Sequence, residues 1–191
     1  HGRTPERPED LGYTADADGW TKMTDNVRAL HDWAKEQHST LPYILLGHSM
    51  GSFLSRSYLI RYPGTVDACA LLGTGQQPGA VLSAGLLACR LEQLRLGKRG
   101  RSKLLQTLCF GAYNRQFKPN RTQSDWVCSV EAVVDAYIAD PFCQVMPTVT
   151  LMRDMLSGIR FNQQTDQLSK MDRTTPILFL SGEQDPVGAN G

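Results

Sequence analysis

The sequence predicts an α/β fold built on a parallel sheet, with a long helical region inserted between strands. Two observations predict it. Three short runs, Tyr43 to Leu46, Val66 to Leu72 and Pro176 to Leu180, are almost continuously apolar, as in parallel strands buried on both faces. Between the second and third runs, residues 76–172 lose strand-like sequence and carry helix-like segments instead.

Residues 1–20 read as a loop rich in Pro, Gly and Asp. A helix follows, with Thr21 or Thr24 as its N-cap. Met23, Val27, Leu30 and Ala34 recur at steps of four, three and four, so this stripe is expected to face the core. His31, Trp33 and His38 on this helix read as packing or surface residues. Pro42 leads into the first strand. Met50 to Arg61 reads as a helix with Phe53, Ser57 and Ile60 on one face, where small residues permit close packing on the sheet. Pro63-Gly64 stops it. The second strand, ending at Leu72, runs into the loop Gly73-Thr74-Gly75.

The insertion is expected to hold helices over Ala80 to Leu96, Lys103 to Tyr113, Glu131 to Ile138 and Thr148 to Ser157, broken by Pro119, Pro141 and Pro147. An insertion there commonly covers a site at the carboxyl ends of the strands. The third strand ends in Ser181-Gly182-Glu183-Gln184-Asp185-Pro186-Val187, where Asp185, with Glu183 second, is placed as an acid just past a strand end.

At 191 residues the chain suits one domain with a sizeable core, and its net charge of +1 implies no general affinity for nucleic acid or membrane. No apolar run approaches the roughly 20 residues of a membrane span. The start, His1-Gly2-Arg3, reads neither as a signal peptide nor as an ordinary initiator. The five cysteines, Cys69, Cys89, Cys109, Cys128 and Cys143, form no Cys-x-x-Cys pair. Free thiols in a reducing cytoplasm are expected, with no metal and no organic cofactor. In a cytoplasmic chain the sequon Asn120-Arg121-Thr122 carries no meaning. One local bias stands out. Arg90, Arg95, Lys98, Arg99, Arg101 and Lys103 face only Glu92, so this run holds +5 and the rest of the chain −4. It reads first as a solvated helix face, and secondly as a weak contact for membrane or anionic headgroups.

The chemistry centres on Gly47-His48-Ser49-Met50-Gly51. A Gly-x-Ser-x-Gly set between an apolar strand and a helix is a nucleophile elbow, which thrusts the serine hydroxyl above the sheet. The tight turn is expected to demand glycine at both Gly47 and Gly51, and the Met50 N–H to hold an oxyanion. A serine needs a base, normally a histidine oriented by a carboxylate, and on this scaffold the order is Ser, acid, His. Ser49 and Asp185 follow that order, but no histidine follows Asp185. His1, His31, His38 and His48 all precede Ser49, and none is well placed as the base.

With these motifs the sequence resembles the α/β-hydrolase superfamily, and within it the serine aminopeptidase S33-like group of monoacylglycerol lipases and lysophospholipases. Four stretches carry the resemblance: His1-Gly2-Arg3-Thr4, the Gly47–Gly51 elbow, Cys69-Ala70-Leu71-Leu72-Gly73-Thr74-Gly75, and Gly182-Glu183-Gln184-Asp185-Pro186-Val187. It implies Ser49 as nucleophile, Asp185 as acid and Met50 as one oxyanion donor. The family's early strands, oxyanion motif and catalytic histidine are not matched, so the expected fold is a partial α/β-hydrolase. Residues 1–75 are its core with the elbow, 76–172 a helical cap, and 173–191 the acid-loop part of the core. The expected reaction is hydrolysis of mono-acylated lipid esters through an acyl-Ser49 intermediate, with this piece alone nearly inactive and an apolar sheet edge exposed. Two rivals stand beside it. One is an aminopeptidase anchoring its substrate's amine on Glu131, Asp135 or Asp140. The other is a non-catalytic binding protein on a degenerate hydrolase fold.

Overall fold

The computed structural model describes residues 4–5 and 7–188; His1-Gly2-Arg3, in the first stretch of the resemblance, lies outside them. Three parallel strands, β1 (Ile44–His48), β2 (Ala68–Leu72) and β3 (Ile177–Leu180), pair in the order β1-β2-β3. Helix α1 (Gly19–Gln37) precedes β1, and α2 (Met50–Arg61) joins β1 to β2. The insertion contributes α3 (Gly79–Leu96), α4 (Lys103–Phe110), α5 (Glu131–Ala139), α6 (Val149–Asn162) and the short α7 (Thr165–Leu168). The α/β class expected from the apolar runs is present, and the elbow helix spans the expected residues.

Cores form where the layers meet. Tyr58 and Leu59 of α2 pack with Val66, Cys69 and Leu71 against one face of the sheet. Trp20, Phe53, Leu82 and Ile159 bring α1, α2, α3 and α6 together. Cys89, Leu105, Val149 and Met152 join α3, α4 and α6. Helix α6 therefore packs on the sheet-covering helices α1 and α2 as well as on α3, which anchors the insertion to the layer that carries the elbow.

Two expectations are corrected. The strands are not buried on both faces. Leu46, Ala70 and Leu178 lie side by side across the sheet, as do His48, Leu72 and Leu180. On this face Ile44 and Leu46 are each 63% exposed and Leu178 is 55% exposed. The helix α2 packs on the opposite face, against Leu45, Cys69 and Leu71. The stripe on α1 is also rotated. Trp20, Thr24 and His31 are buried, whereas Leu30 is 57% exposed. Polar groups enter the core because each is satisfied. The Thr24 hydroxyl donates to the Trp20 carbonyl, and His31 is hydrogen-bonded to Asp32 and the Thr65 carbonyl. Neither threonine caps the helix, which starts at Gly19 after Asp18 in a left-handed conformation.

Candidate active site

The three strand ends stand in a row. The Ser49 N–H donates to the Leu72 carbonyl at 2.9 Å, and the Gly73 N–H donates to the Leu180 carbonyl at 2.9 Å. Residues 49, 73 and the loop after 180 therefore share the carboxyl edge of the sheet, where α/β sheets bind ligands.

Ser49 joins β1 to α2 with φ 52° and ψ −121°, a backbone region that side chains other than glycine rarely adopt. Such strain costs about 1–3 kcal/mol and persists only where the surroundings over-determine it. The restraints are visible. The Ser49 N–H is tied to β2, and its carbonyl accepts the Ser52 N–H at 2.8 Å and the Ser52 hydroxyl at 2.6 Å. Met50 is the first residue of α2, so its N–H is among the first-turn donors that no helical carbonyl satisfies. The helix dipole favours negative charge at that point.

The two elbow glycines differ. A Cβ on Gly47 would fall far inside contact distance of the Gly51 carbonyl and the Ser55 hydroxyl, so the glycine is what lets α2 press onto β1. Ser52, Ser55 and Ser57 are buried on that helix, as expected for small-residue packing. At Gly51 a Cβ would meet no atom within 4 Å, so the steric demand expected there is absent.

Asp185 sits half-buried on the loop after β3. Its N–H donates to the Gly182 carbonyl at 3.0 Å, and its Oδ1 accepts the Val187 N–H at 2.9 Å. This local turn fixes the carboxylate and aims Oδ2 at Gly73. There a Cβ would stand 3.1 Å from Oδ2 and 3.8 Å from the His48 ring. Gly73 has φ +55°, so both its conformation and its neighbours call for glycine. Glu183, by contrast, is exposed.

Sequence reasoning treated Gly73 only as part of a strand-end loop; the Gly-Thr-Gly spacing was the available signal. It missed Tyr113 and Gln116, for which no motif exists. Burial pushes the Tyr113 hydroxyl pKa up, with Cys109 and the Asp185 charge adding to it. Tyr113 meets Phe110 edge-on and Trp126 at a tilt, and the Gln116 amide donates to the Gln184 carbonyl at 2.7 Å. The insertion thus touches the acid loop directly. Beside that loop a cleft of about 880 Å³ is lined by Arg56, Thr74, Gln77, Phe179, Pro186 and Val187; neither Ser49 nor Asp185 lines it.

Several candidates are not brought to the elbow. His31 is bound within the core, and His38 is an exposed residue ending α1. Glu131, Asp135 and Asp140 are exposed. Asp135 pairs with Arg121 at 2.6 Å, and Asp140 accepts the Phe142 N–H at 2.8 Å. Most of the basic run is spent internally. Arg95 pairs with Glu92, Lys98 approaches Asp16 and Arg99 pairs with Asp10 over the Tyr13 ring. Arg101 donates to the Met146 and Leu11 carbonyls. Part of the run works as a clamp between the insertion and the N-terminal loop, with Lys98, Arg99 and Arg101 reaching Asp16, Asp10 and the Leu11 carbonyl. Among the described residues no helix is long and apolar enough to cross a membrane.

Comparison with known proteins accords with this geometry. A family model described as serine aminopeptidase, S33, matches residues 1–191. A monoacylglycerol lipase of Mycolicibacterium smegmatis is 28% identical over 165 residues, covering 86% of this chain and 52% of the relative. The chain thus spans about half the length of that relative. Among solved structures, a thermostable carboxyl esterase from Bacillus coagulans superposes with a TM-score of 0.80 at 24% identity, over 90% of this chain and 56% of its own. A monoglyceride lipase from Saccharomyces cerevisiae gives 0.67 at 13% identity, over 97% and 57%. At these identities the structures speak for the fold.

Proposed function

The chain belongs to the serine aminopeptidase S33 family of α/β-hydrolases, and on that premise we propose that it carries the nucleophile and acid of a serine esterase acting on mono-acylated lipids. The observation that carries the reading is a strained Ser49 and a loop-fixed Asp185 at the same carboxyl edge of the sheet, after the two strands that flank β2. In this reading the Ser49 hydroxyl gives its proton to a base and attacks the ester carbonyl, and the Met50 N–H at the start of α2 stabilises the tetrahedral oxyanion. Its collapse breaks the bond to the alcohol, which leaves with that proton, and water hydrolyses the acyl-Ser49 ester that remains. Asp185 orients a histidine base. The relative named a monoacylglycerol lipase supports an acyl-glycerol substrate class.

In this reading no histidine among the described residues serves as that base. Neither His31 nor His38 faces the site, and His48 precedes the nucleophile directly. The open sheet face of Ile44, Leu46 and Leu178 supports the same reading, because it lacks the cover that a complete hydrolase core requires. The insertion's contact with the acid loop, through Gln116, supports its role as a cap over the site.

The test compares the full-length protein with residues 1–191. The full-length protein should hydrolyse monoacylglycerols and p-nitrophenyl esters well above aminoacyl amides, and Ser49→Ala should abolish this. Residues 1–191 alone should turn over little. Robust Ser49-dependent turnover by that piece, or a preference for aminoacyl amides, would overturn the reading.

A further inference from the structure

We infer that Asn162 is a positioning residue for the nucleophile turn, holding the first turn of α2 from the far end of the inserted region; the inference rests on the esterase reading of Ser49. Asn162 ends α6 and is fully buried. Its amide nitrogen donates to the Phe53 carbonyl at 2.7 Å, and its Oδ1 accepts the Ser57 hydroxyl at 2.6 Å. The Ser57 oxygen in turn accepts the Trp20 indole N–H at 2.8 Å. Four polar groups from α1, α2 and α6 are thus satisfied in one chain of bonds inside an apolar core formed by Trp20, Phe53, Leu82 and Ile159.

The chain of bonds reaches the site through the backbone. The Phe53 N–H lies 3.4 Å from the Ser49 carbonyl, and that same carbonyl accepts the Ser52 N–H at 2.8 Å. Phe53 therefore closes the turn whose other end is the strained serine. The Asn162 amide grips the opposite side of this residue. One turn earlier on α6, a Cβ on Gly158 would run into the Trp20 ring. That close approach is what seats the end of α6 deeply enough for Asn162 to reach α2. A tether at Phe53 limits how far the first turn of α2, with the Met50 N–H, can rotate about Ser49. Small misplacements at a reacting centre cost rate steeply, roughly a hundredfold for 1 Å.

The test uses the full-length protein carrying Asn162→Asp, which keeps the shape but exchanges the amide N–H donor for a carboxyl oxygen, and Asn162→Leu, which removes donor and acceptor. Val66→Ala, a buried change just before β2, serves as a control for lost stability alone. Turnover is expressed per active serine, counted by fluorophosphonate titration. Both Asn162 variants are expected to lower kcat by roughly ten- to a hundredfold, with KM changed less than about twofold. The Val66→Ala protein should keep its kcat per active serine. Amide exchange at Ser52 and Phe53 should quicken in the Asn162 variants beyond the control. Unchanged kcat per serine in both variants would overturn the inference while leaving the esterase reading intact. A parent protein without turnover would overturn the esterase reading; the exchange rates would still decide whether Asn162 holds this turn, with rates equal to the control refuting it.

Discussion

Replacing Ser49 by glycine should stabilise the fold while destroying the nucleophile. Ser49 holds φ 52° and ψ −121°, where a Cβ is strained by about 1–3 kcal/mol. Glycine relieves that strain but loses about 0.5–1 kcal/mol through the greater freedom of the unfolded chain. The backbone restraints survive the change, because the bonds to Leu72 and Ser52 use only the Ser49 N–H and carbonyl. The net gain is therefore about 1 kcal/mol. Ser49→Ala keeps the Cβ and should stay near the parent. Urea unfolding of the three proteins, with slopes of about 2 kcal/mol per molar, should place the glycine variant about 0.5 M higher in midpoint. The alanine–glycine pair isolates the strain, since neither can form an acyl-enzyme. A glycine variant no more stable than the alanine one would refute the claim that the fold stores strain at this serine.

Other outcomes follow from the same geometry. Gly47→Ala should cost about 1–3 kcal/mol by overpacking α2 on β1, whereas Gly51→Ala, with open space around its Cβ, should be neutral or stabilising by up to about 1 kcal/mol; paired urea titrations check both. The Arg95 guanidinium and the Ser102 hydroxyl hold the Glu92 carboxyl down to about 2, from an ordinary value of 4.5. Because the folded value is the lower one, the contribution is present above pH 4.5 and is lost as pH falls towards 2. Melting temperatures across that window should fall less steeply for Glu92→Gln than for the parent; equal slopes would exclude Glu92 as the cause. The double change Arg99→Ala and Arg101→Ala cuts the clamp to Asp10 and Leu11. It should speed proteolysis within residues 7–17 without altering retention on anionic vesicles, whereas a loss of retention would favour the headgroup reading.

The elbow was legible because its signal is local. An apolar run, five residues of turn and a helix of small residues all lie within Tyr43 to Arg61. The faces of the elements were less legible because burial is decided by partners far away in the chain. Met23, Val27, Leu30 and Ala34 have the spacing of a core stripe, yet α1 buries Trp20, Thr24 and His31. Trp20 gains the Ser57 hydroxyl and His31 the Thr65 carbonyl, and nothing near either residue in sequence announces those acceptors. The strands show the converse. Ile44 and Leu46 are apolar as if covered, since composition records the environment a strand is suited to, and cover must come from another element. Helix α6 was expected to stop at Ser157 but runs to Asn162. Its last turn carries Gly158 and Asn162, residues of poor helix propensity that tertiary contacts with Trp20 and Phe53 hold in place.

The separation of Ser49 from Asp185 in sequence makes their sharing of one sheet edge a matter of register rather than of local structure. β1 and β3 are not neighbours; β2 lies between them. The ladder bonds from Ser49 to Leu72 and from Gly73 to Leu180 run past the strand ends, so the three chains leave the sheet level with one another. A serine at one flank and a carboxylate at the other can then approach only across the residue that follows β2. That residue is Gly73, at φ +55°, and the Asp185 Oδ2 leans into the space its missing Cβ leaves. On the other side of the serine, Gly47 leaves the space that seats α2 and, with it, the Met50 N–H. Withheld side chains on both flanks therefore leave room for Ser49, Asp185 and the Met50 N–H at one edge. If Ser49 and Asp185 act together as proposed, a substitution at Gly73 should impair acylation more than its effect on folding predicts, because its Cβ would press on the Asp185 carboxylate.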